Sequence, residues 1–345
     1  MLDLPPIQPV VRNFRHEQAW CRRCKKVVRS PRALEEPPSG HLGPRLLGLI
    51  ADLKTQAGMT FGKIARLLGQ FRVEVTPGAL AACVIRVAQW LKPCQDAVLA
   101  EVRAAKIVHP DETSWPIAGR LAWLWTAVTE QVTAFRVAAT RSAKDAKELL
   151  GSTADRVMVH DSYSAYNQIE GEHQLCFAHP LRHAREAAAY GDPAATRFHD
   201  ELKSIYRDAE IVSEAREALS ATVYAKEVRR VERRLANLTK GQSKNSLVTH
   251  LKKRVARDQE RLLTFLRRPG VEPTNNRAER AIRPAVVVRK ISGGSRADDG
   301  AQAHAVISTV TRSIDHFGVT SLFDLIREAA CSARCRPVLE PVFSH

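Results

Sequence analysis

The sequence predicts an α/β protein, and three observations carry that expectation. Residues 106–178 alternate short runs of β-branched and aromatic residues with a single capped helical stretch. Residues 183–272 carry helical periodicity and no strand signal. Residues 45–105 are helical as well and precede the strands. The order within 106–178 is three strands, a helix, a strand, a short connection and another strand. A meander followed by a crossover fits a mixed sheet of the ribonuclease-H-like kind, here with a helical insertion and a preceding helical region.

Taken along the chain, residues 1–44 are an extended segment, rich in Pro and Arg through Pro5, Pro6, Pro9, Pro31, Pro37, Pro38 and Pro44, with Cys21-Arg-Arg-Cys24 in the middle. In 45–105, Ile64, Leu67 and Leu68 share a helix face, and Gly69 reads as a stop. Thr76-Pro77 supplies an N-cap and a first-turn proline for the next helix, continued by Leu80, Val84 and Val87. Two such helices a turn apart resemble a helix-turn-helix, and equally a plain helical hairpin. The expected strands are 106–113, 121–128, 134–139, 156–160 and 173–178, with a helix from Ser142 to Leu150 closed by Gly151. Leu235, Leu238, Val248, Leu251, Val255, Leu262 and Leu266 provide the apolar positions of the insertion, and 240–245 breaks it into a helical hairpin. A short helix starts at 275–284, the sheet core resumes over 273–330, and 331–345 is a tail.

The chain has 345 residues and a formal charge of +16, from 53 Lys and Arg against 37 Asp and Glu. That excess calls for a polyanionic partner, with nucleic acid first. It is unevenly placed. Residues 1–105 hold 16 basic and 8 acidic residues, 106–180 hold 7 and 9, 181–272 hold 20 and 13, and 273–345 hold 10 and 7. A slightly acidic block is flanked by basic ones, which suits a carboxylate centre between arms that hold phosphate. A hydrophobic fraction of 44 % excludes a largely disordered basic tail. No apolar run approaches a membrane span and no signal peptide is visible. Seven scattered cysteines fit a reducing cytoplasm.

Three acids stand out. Asp111 is read as following the first strand of the acidic block, Asp161 ends another strand, and Glu279 opens a helix after the basic insertion. Carboxylates from separate elements can hold two divalent metals about 3.5–4 Å apart, and magnesium prefers such oxygen ligands. Each acid also has a plain reading: a turn or cap for the two aspartates, a capping box with Asn276 for Glu279. Arg277, Arg280, Arg283, Arg289 and Lys290 form a basic ladder suited to phosphate, or to solubility alone. Ser292-Gly-Gly-Ser295 reads as a flexible turn whose amides could approach a phosphate. Cys21-x-x-Cys24 has the spacing of half a zinc knuckle, with His16 and His41 as nearby candidates. Cys176-x-x-His179 is a second half site, for which a buried Cys and a hydrogen-bonded His are the commoner explanation. Cys331 and Cys335 read as buried or idle.

Together these residues resemble a known family. His-Pro-Asp111-Glu-Thr113, His160-Asp161-Ser-Tyr-Ser-Ala-Tyr166, Cys176-Phe-Ala-His179-Pro-Leu-Arg182 and Pro273-Thr-Asn-Asn-Arg-Ala-Glu279-Arg-Ala-Ile-Arg-Pro284, followed by Arg289-Lys290, occur in the order and spacing of the insertion-sequence-sixty-six type of bacterial DDE transposases. The resemblance runs from about Cys21 to about Ala330. It implies a ribonuclease-H-like core, a metal-binding triad of Asp111, Asp161 and Glu279, and an N-terminal zinc knuckle and helix-turn-helix that recognise element ends. The family's knuckle carries an earlier Cys pair in a longer N-terminal region, whereas Cys21 and Cys24 are the pair present here. The implied function is magnesium- or manganese-dependent cleavage and strand transfer on DNA at terminal inverted repeats, in the bacterial cytoplasm on the nucleoid, by a homo-oligomer with accessory transposition proteins. The alternatives are a non-catalytic DNA-binding copy and a simple nuclease.

Overall fold

A computed structural model describes residues 8–31, 36, 40–152, 154–319 and 321–335, with side chains to residue 329. The chain opens on an antiparallel hairpin of β1 (Gln18–Cys21) and β2 (Lys26–Arg29). Helices α1 (Pro44–Thr55), α2 (Phe61–Gln70) and α3 (Pro77–Ala104) follow. Thr60 and Thr76 cap α2 and α3 through their hydroxyls, which accept from the Lys63 and Ala79 amides at 3.3 and 3.2 Å. Two expectations fail here. Gly69 lies inside α2, and the chain turns instead at Arg72, whose φ of 59° is left-handed. The helix after Thr76 is not short: it spans 28 residues and runs through Pro93, because Leu80, Val84, Leu91, Val98 and Val102 are all buried along it. Burial of that face outweighs the hydrogen bond that proline removes.

Next come β3 (Ile107–Ser114), β4 (Trp123–Val128), β5 (Thr133–Ala138), α4 (Ala143–Leu150), β6 (Val157–His160) and β7 (Glu172–Leu175). The sheet order is β5-β4-β3-β6-β7; β3, β4 and β5 pair antiparallel, while β6 and β7 run parallel to β3. Side-chain alternation sends Trp125, Ala127, Ala134 and Met158 to one face, against Val98 and Val102 of α3 and Ala146 and Leu149 of α4. Leu124, Phe135 and Val137 go to the other face, against α9 (Asn276–Ser292) and α10 (Asp298–Arg312), through Ile282, Ala285, Val288, Ala301 and Ala305. The result is a helix–sheet–helix sandwich.

Between β7 and α9 the chain forms α5 (Ala178–Ala188), α6 (Pro193–Glu214), α7 (Ala221–Thr239) and α8 (Ser246–Leu262). The α7–α8 break falls at 240–245, where Asn245 caps α8 by accepting from the Leu247 and Val248 amides. Leu235, Val248, Val255, Leu262 and Leu266 are buried in a core shared with Val157, Val159 and Leu175 of the sheet. Not all of the basic run is free for phosphate. Arg234 pairs with Glu201 and Asp208, Arg267 with Glu232, and Arg268 with Glu172. The last helix, α11 (Leu322–Cys335), joins α10 and α1–α3 in one core through Leu322, Leu325 and Ile326. The helices of residues 45–105 therefore bury their apolar faces against the chain's other end. Side chains at Cys331 and Cys335 lie outside the described residues. Among the described residues no helix is long and apolar enough to cross a membrane.

Two local devices hold the sandwich. Arg156, 1 % exposed, donates to the carbonyls of Val102, Arg103, Ala105 and Leu150. These are the unpaired carbonyls at the ends of α3 and α4, so one guanidinium closes two helix termini. The second device is the turn after α9. Gly293 ends the helix in the left-handed region at φ 71°. At Gly294 (φ +99°) a Cβ would lie 2.1 Å from the Pro116 carbonyl oxygen. The Ser295 amide donates to that same oxygen at 2.9 Å, and the Ser295 carbonyl accepts from Ala118. The segment expected to be a flexible, phosphate-facing turn is thus docked on the β3–β4 connection, with the Ser295 amide already used. Gly294→Ala is expected to cost on the order of 2–4 kcal/mol, from positive φ plus a backbone clash; a thermal melt close to wild type would contradict this.

Candidate active site

β3 and β6 pair in register, Ile107 with Val157 and Val108 with Met158. Carrying that constant offset forward sets Asp111 level with Asp161. Asp161 is the first residue past β6, as expected. Asp111 is not beyond its strand: it lies within β3 and pairs with Thr126 of β4. β3 runs on because β4 continues to pair with it on one side. On the other side β6 has ended, and that opening is where the two aspartates stand.

Each aspartate is oriented by its own backbone. Oδ1 of Asp111 accepts from the Glu112 amide at 2.8 Å, and Oδ1 of Asp161 accepts from the Tyr163 amide at 2.9 Å. The turn-forming role open to Asp161 is therefore real, and it leaves Oδ2 available. Burial first, then the charge of Glu112, with further contributions from Asp161 and Glu279, pushes the Asp111 carboxyl up to about 7. Asp111 thus feels both other candidate acids, which come from separate elements.

Glu279 stands in the first turn of α9. The capping box with Asn276 does not form. The N-cap is Asn275, whose side chain makes no cap bond; it is buried, and its Nδ2 donates to the Pro110 carbonyl at 2.8 Å. That bond ties the start of α9 to the residue before Asp111. The Phe177 amide donates to the Pro273 carbonyl, and the Cys176 amide to the His160 carbonyl, so β6, β7 and the approach to α9 are laced together around the acids. The helix expected to end near Pro284 runs through it to Ser292. Its buried face against β3 and β4, through Ile282, Ala285 and Val288, keeps it helical past the proline.

The basic ladder divides in two. Arg277 donates to Glu272 at 2.6 and 2.9 Å and to the Thr129 carbonyl at 3.3 Å. Arg289 donates to the Ser114 carbonyl at 2.8 Å and to the Thr113 hydroxyl at 3.1 Å. Both are occupied in anchoring α9 to the sheet. Arg280, Arg283 and Lys290 are exposed.

Glu112 adjoins Asp111 in the sequence, and spacing alone gives it no role. Its side chain is 2 % exposed and is gripped by Arg141 and by the Tyr166 hydroxyl. Arg141 in turn lies over the rings of Tyr163 and Trp123, 3.7 and 4.9 Å from their centroids. Burial raises the Glu112 carboxyl despite these two partners, and it raises Tyr166 well above the usual phenol range. The half site Cys176-x-x-His179 departs from its commoner reading at His179. Its Nδ1 is buried without a hydrogen-bond partner, against the expectation of a satisfied histidine. Burial lowers its ring, while Asp161 and Glu279 act in the opposite direction. Cys176, His179 and Glu279 have ligand atoms all within 4.8 Å of one another.

At the N-terminal hairpin Cys21 and Cys24 face each other across the turn. The Cys24 amide and thiol and the Arg23 amide lower the Cys21 thiol, and both cysteines are free. Among the described residues no third Cys, His, Asp or Glu closes on them; His16 lies 2.8 Å from Glu36 instead. On α2, Lys63 and Arg66 are exposed, as is Arg72 after it. A cleft of about 390 Å³ in the insertion is lined by Lys226, Arg229, Glu232, Arg233, Ala236 and Gln259, and by none of the three acids.

Comparison with known proteins completes the description. A family model described as "Transposase IS66 family" matches residues 39–303. The uncharacterized protein y4jD of Sinorhizobium fredii (strain NBRC 101917 / NGR234) is 25 % identical over 348 residues, covering 90 % of this chain and 67 % of that protein. From the same organism, the uncharacterized proteins y4qI and y4hP are 26 % and 25 % identical, covering 82 % and 91 % of this chain. The chain spans 58 % and 64 % of the lengths of those two.

Proposed function

Because the chain belongs to the IS66 family of transposases, we propose that it is a DNA transposase whose ribonuclease-H-like sheet carries a catalytic triad of Asp111, Asp161 and Glu279. The observation that supports this most is the level placement of Asp111 and Asp161 by neighbouring parallel strands, with Asp111 raised by burial and by Glu112, and further by the charges of both other acids. The strand order, an antiparallel meander joined to two parallel strands, is the one expected for such a core.

The donors suit a hard divalent cation. All three are carboxylates, the oxygen ligands such an ion prefers; their oxygens are not all within 4.8 Å of one another among the described residues, so a bound ion would draw them together. Magnesium or manganese bound there would supply Lewis acidity toward the phosphodiester and a more acidic nucleophilic water or 3′-hydroxyl. The rest falls to the chain's own residues. The Glu112 and Tyr163 amides fix which aspartate oxygens face the opening. Asn275, Arg277 and Arg289 hold α9 so that Glu279 stays near β3. Arg280, Arg283 and Lys290 would hold strand phosphates, and Lys63, Arg66 and Arg72 would add backbone contacts from the N-terminal helices. Zinc at Cys21 and Cys24 would need ligands from beyond those described. Synapsis of two element ends calls for a homo-oligomer, with accessory proteins a further proposal.

Arg141 and Tyr166 act as positioning residues, since both grip Glu112 rather than substrate. Through Glu112 they hold the β3 backbone that carries Asp111, so Tyr166→Phe and Arg141→Lys are expected to lower the cleavage rate about tenfold, as when groups that orient metal ligands are lost, with an unchanged salt slope of DNA binding. Wild-type rates in both variants would show that the grip on Glu112 does not position Asp111.

The test of function is a strand-transfer assay with DNA carrying the ends of the flanking element. The expected result is magnesium-dependent cleavage at the ends and joining of the new 3′-hydroxyls to a second DNA. Cleavage indifferent to end sequence would favour a simple nuclease. Binding with no cleavage in magnesium or manganese would favour a non-catalytic copy.

A further inference from the structure

We propose that Cys176, His179 and Glu279 form a second, softer metal site that takes a zinc-class transition ion and shares Glu279 with the carboxylate cluster. It rests on the catalytic reading only through that shared residue.

The thiol, imidazole and carboxylate ligand atoms lie within 4.8 Å of one another. Tetrahedral coordination with bonds of about 2.0–2.3 Å sets ligands about 3.5 Å apart, so small side-chain rotations close the site. Burial raises the Cys176 thiol, and the neighbouring backbone amides of Asn275, Ala178 and His179 act in the opposite direction. Two of these come from the second and third residues after the cysteine, at the N-terminal end of α5, where helical amides and the helix dipole favour negative charge. Cys176 is only 2 % exposed, so water barely reaches its sulfur. His179, at the second position of α5, holds a buried Nδ1 that no protein group satisfies. A buried imidazole nitrogen without a partner, on a residue that clusters with a buried thiol and a carboxylate within 4.8 Å, is well explained by a cation among them.

The donor types decide the ion. Magnesium takes oxygen and keeps its waters, so sulfur and nitrogen do not compete for it. A sulfur, nitrogen and oxygen set favours zinc, cobalt or nickel. Three protein ligands leave a fourth position for water or a substrate oxygen, as in open zinc sites. The two sites thus divide by hardness: the aspartates offer oxygen alone, Cys176 and His179 offer sulfur and nitrogen, and Glu279 is common to both. An ion held by the soft pair would draw on the same Glu279 carboxylate that the magnesium cluster needs.

The experiment uses the full chain carrying Cys21→Ser and Cys24→Ser, so that the hairpin thiols contribute nothing. Cobalt(II) is titrated in the absence of DNA and magnesium, which keeps the outcome independent of whether the protein cleaves DNA. The expected result is a thiolate-to-cobalt charge-transfer band that saturates at one equivalent and is displaced by zinc. Adding Cys176→Ser should abolish the band. Adding His179→Gln or Glu279→Gln, which leave the sulfur in place, should weaken cobalt affinity at least about tenfold. No band in the starting protein, or an undiminished band after Cys176→Ser, would overturn the site. So would cobalt affinities unchanged in both the His179 and Glu279 variants.

Discussion

Asp161→Asn is expected to reduce strand cleavage by on the order of 10²–10³-fold or more, while binding to element-end DNA stays within a few-fold of wild type. The magnitude is that of removing one preorganised group that meets charge in the transition state. Binding persists because the exposed cations on α2 and α9 lie on elements other than the one that carries Asp161. Asp111→Asn should have the same effect on cleavage and a second, opposite effect on stability. The folded carboxyl titrates at about 7, whereas an unfolded aspartate titrates near 4. The ionised form is therefore disfavoured in the metal-free fold. That cost is fully present above about pH 7, fades as the pH falls from about 7 to about 4, and is absent below. The neutral amide carries no such cost. The metal-free Asp111→Asn protein should melt higher than wild type at pH 8, with the gain vanishing near pH 4 to 5. A variant that loses cleavage and also melts lower at pH 8 would show that Asp111 supports the fold and not a charge-crowded site.

Arg156→Met should produce the largest loss of stability from one substitution. The methionine fills much of the volume but leaves four carbonyls at the ends of α3 and α4 without their donor. Each buried group left unpaired costs about 1–3 kcal/mol, with partial relaxation reducing the sum. A total on the order of 4 kcal/mol corresponds to roughly 10 °C in Tm for a domain of this size. Because α3 and α4 back the sheet face opposite α9, the loss should be global and cooperative, not confined to one helix. A thermal melt within about 2 °C of wild type would show that water satisfies these carbonyls.

What could be read from the residues follows physical lines. Local signals were sufficient where they are strong: Thr76-Pro77 begins α3, Ser142 and Gly151 bracket α4, and 240–245 splits α7 from α8. Alternating apolar runs located all five sheet strands within a few residues. Tertiary packing overrode local signals elsewhere. Gly69 and Pro284 are breakers that buried faces carry through, and Asn275 spends its side chain on a neighbouring strand instead of capping α9. The candidate acids were legible as strand-end and helix-start carboxylates. Their mutual influence was not, because it depends on the β3–β6 register, which lies between segments 50 residues apart. The same holds for Glu112, whose partners Arg141 and Tyr166 are distant in sequence, and for Arg277 and Arg289, which read as free cations and prove to be anchors.

The claim on which the rest depends is that Asp111, Asp161 and Glu279 act as one oxygen-donor site. Calorimetric titration of magnesium into the full chain at pH 8, compared with Asp111→Asn, Asp161→Asn and Glu279→Gln, tests it most directly. The account predicts saturable binding in wild type that is lost or weakened at least about tenfold in each of the three variants. Magnesium affinity equal to wild type in any of the three would contradict it.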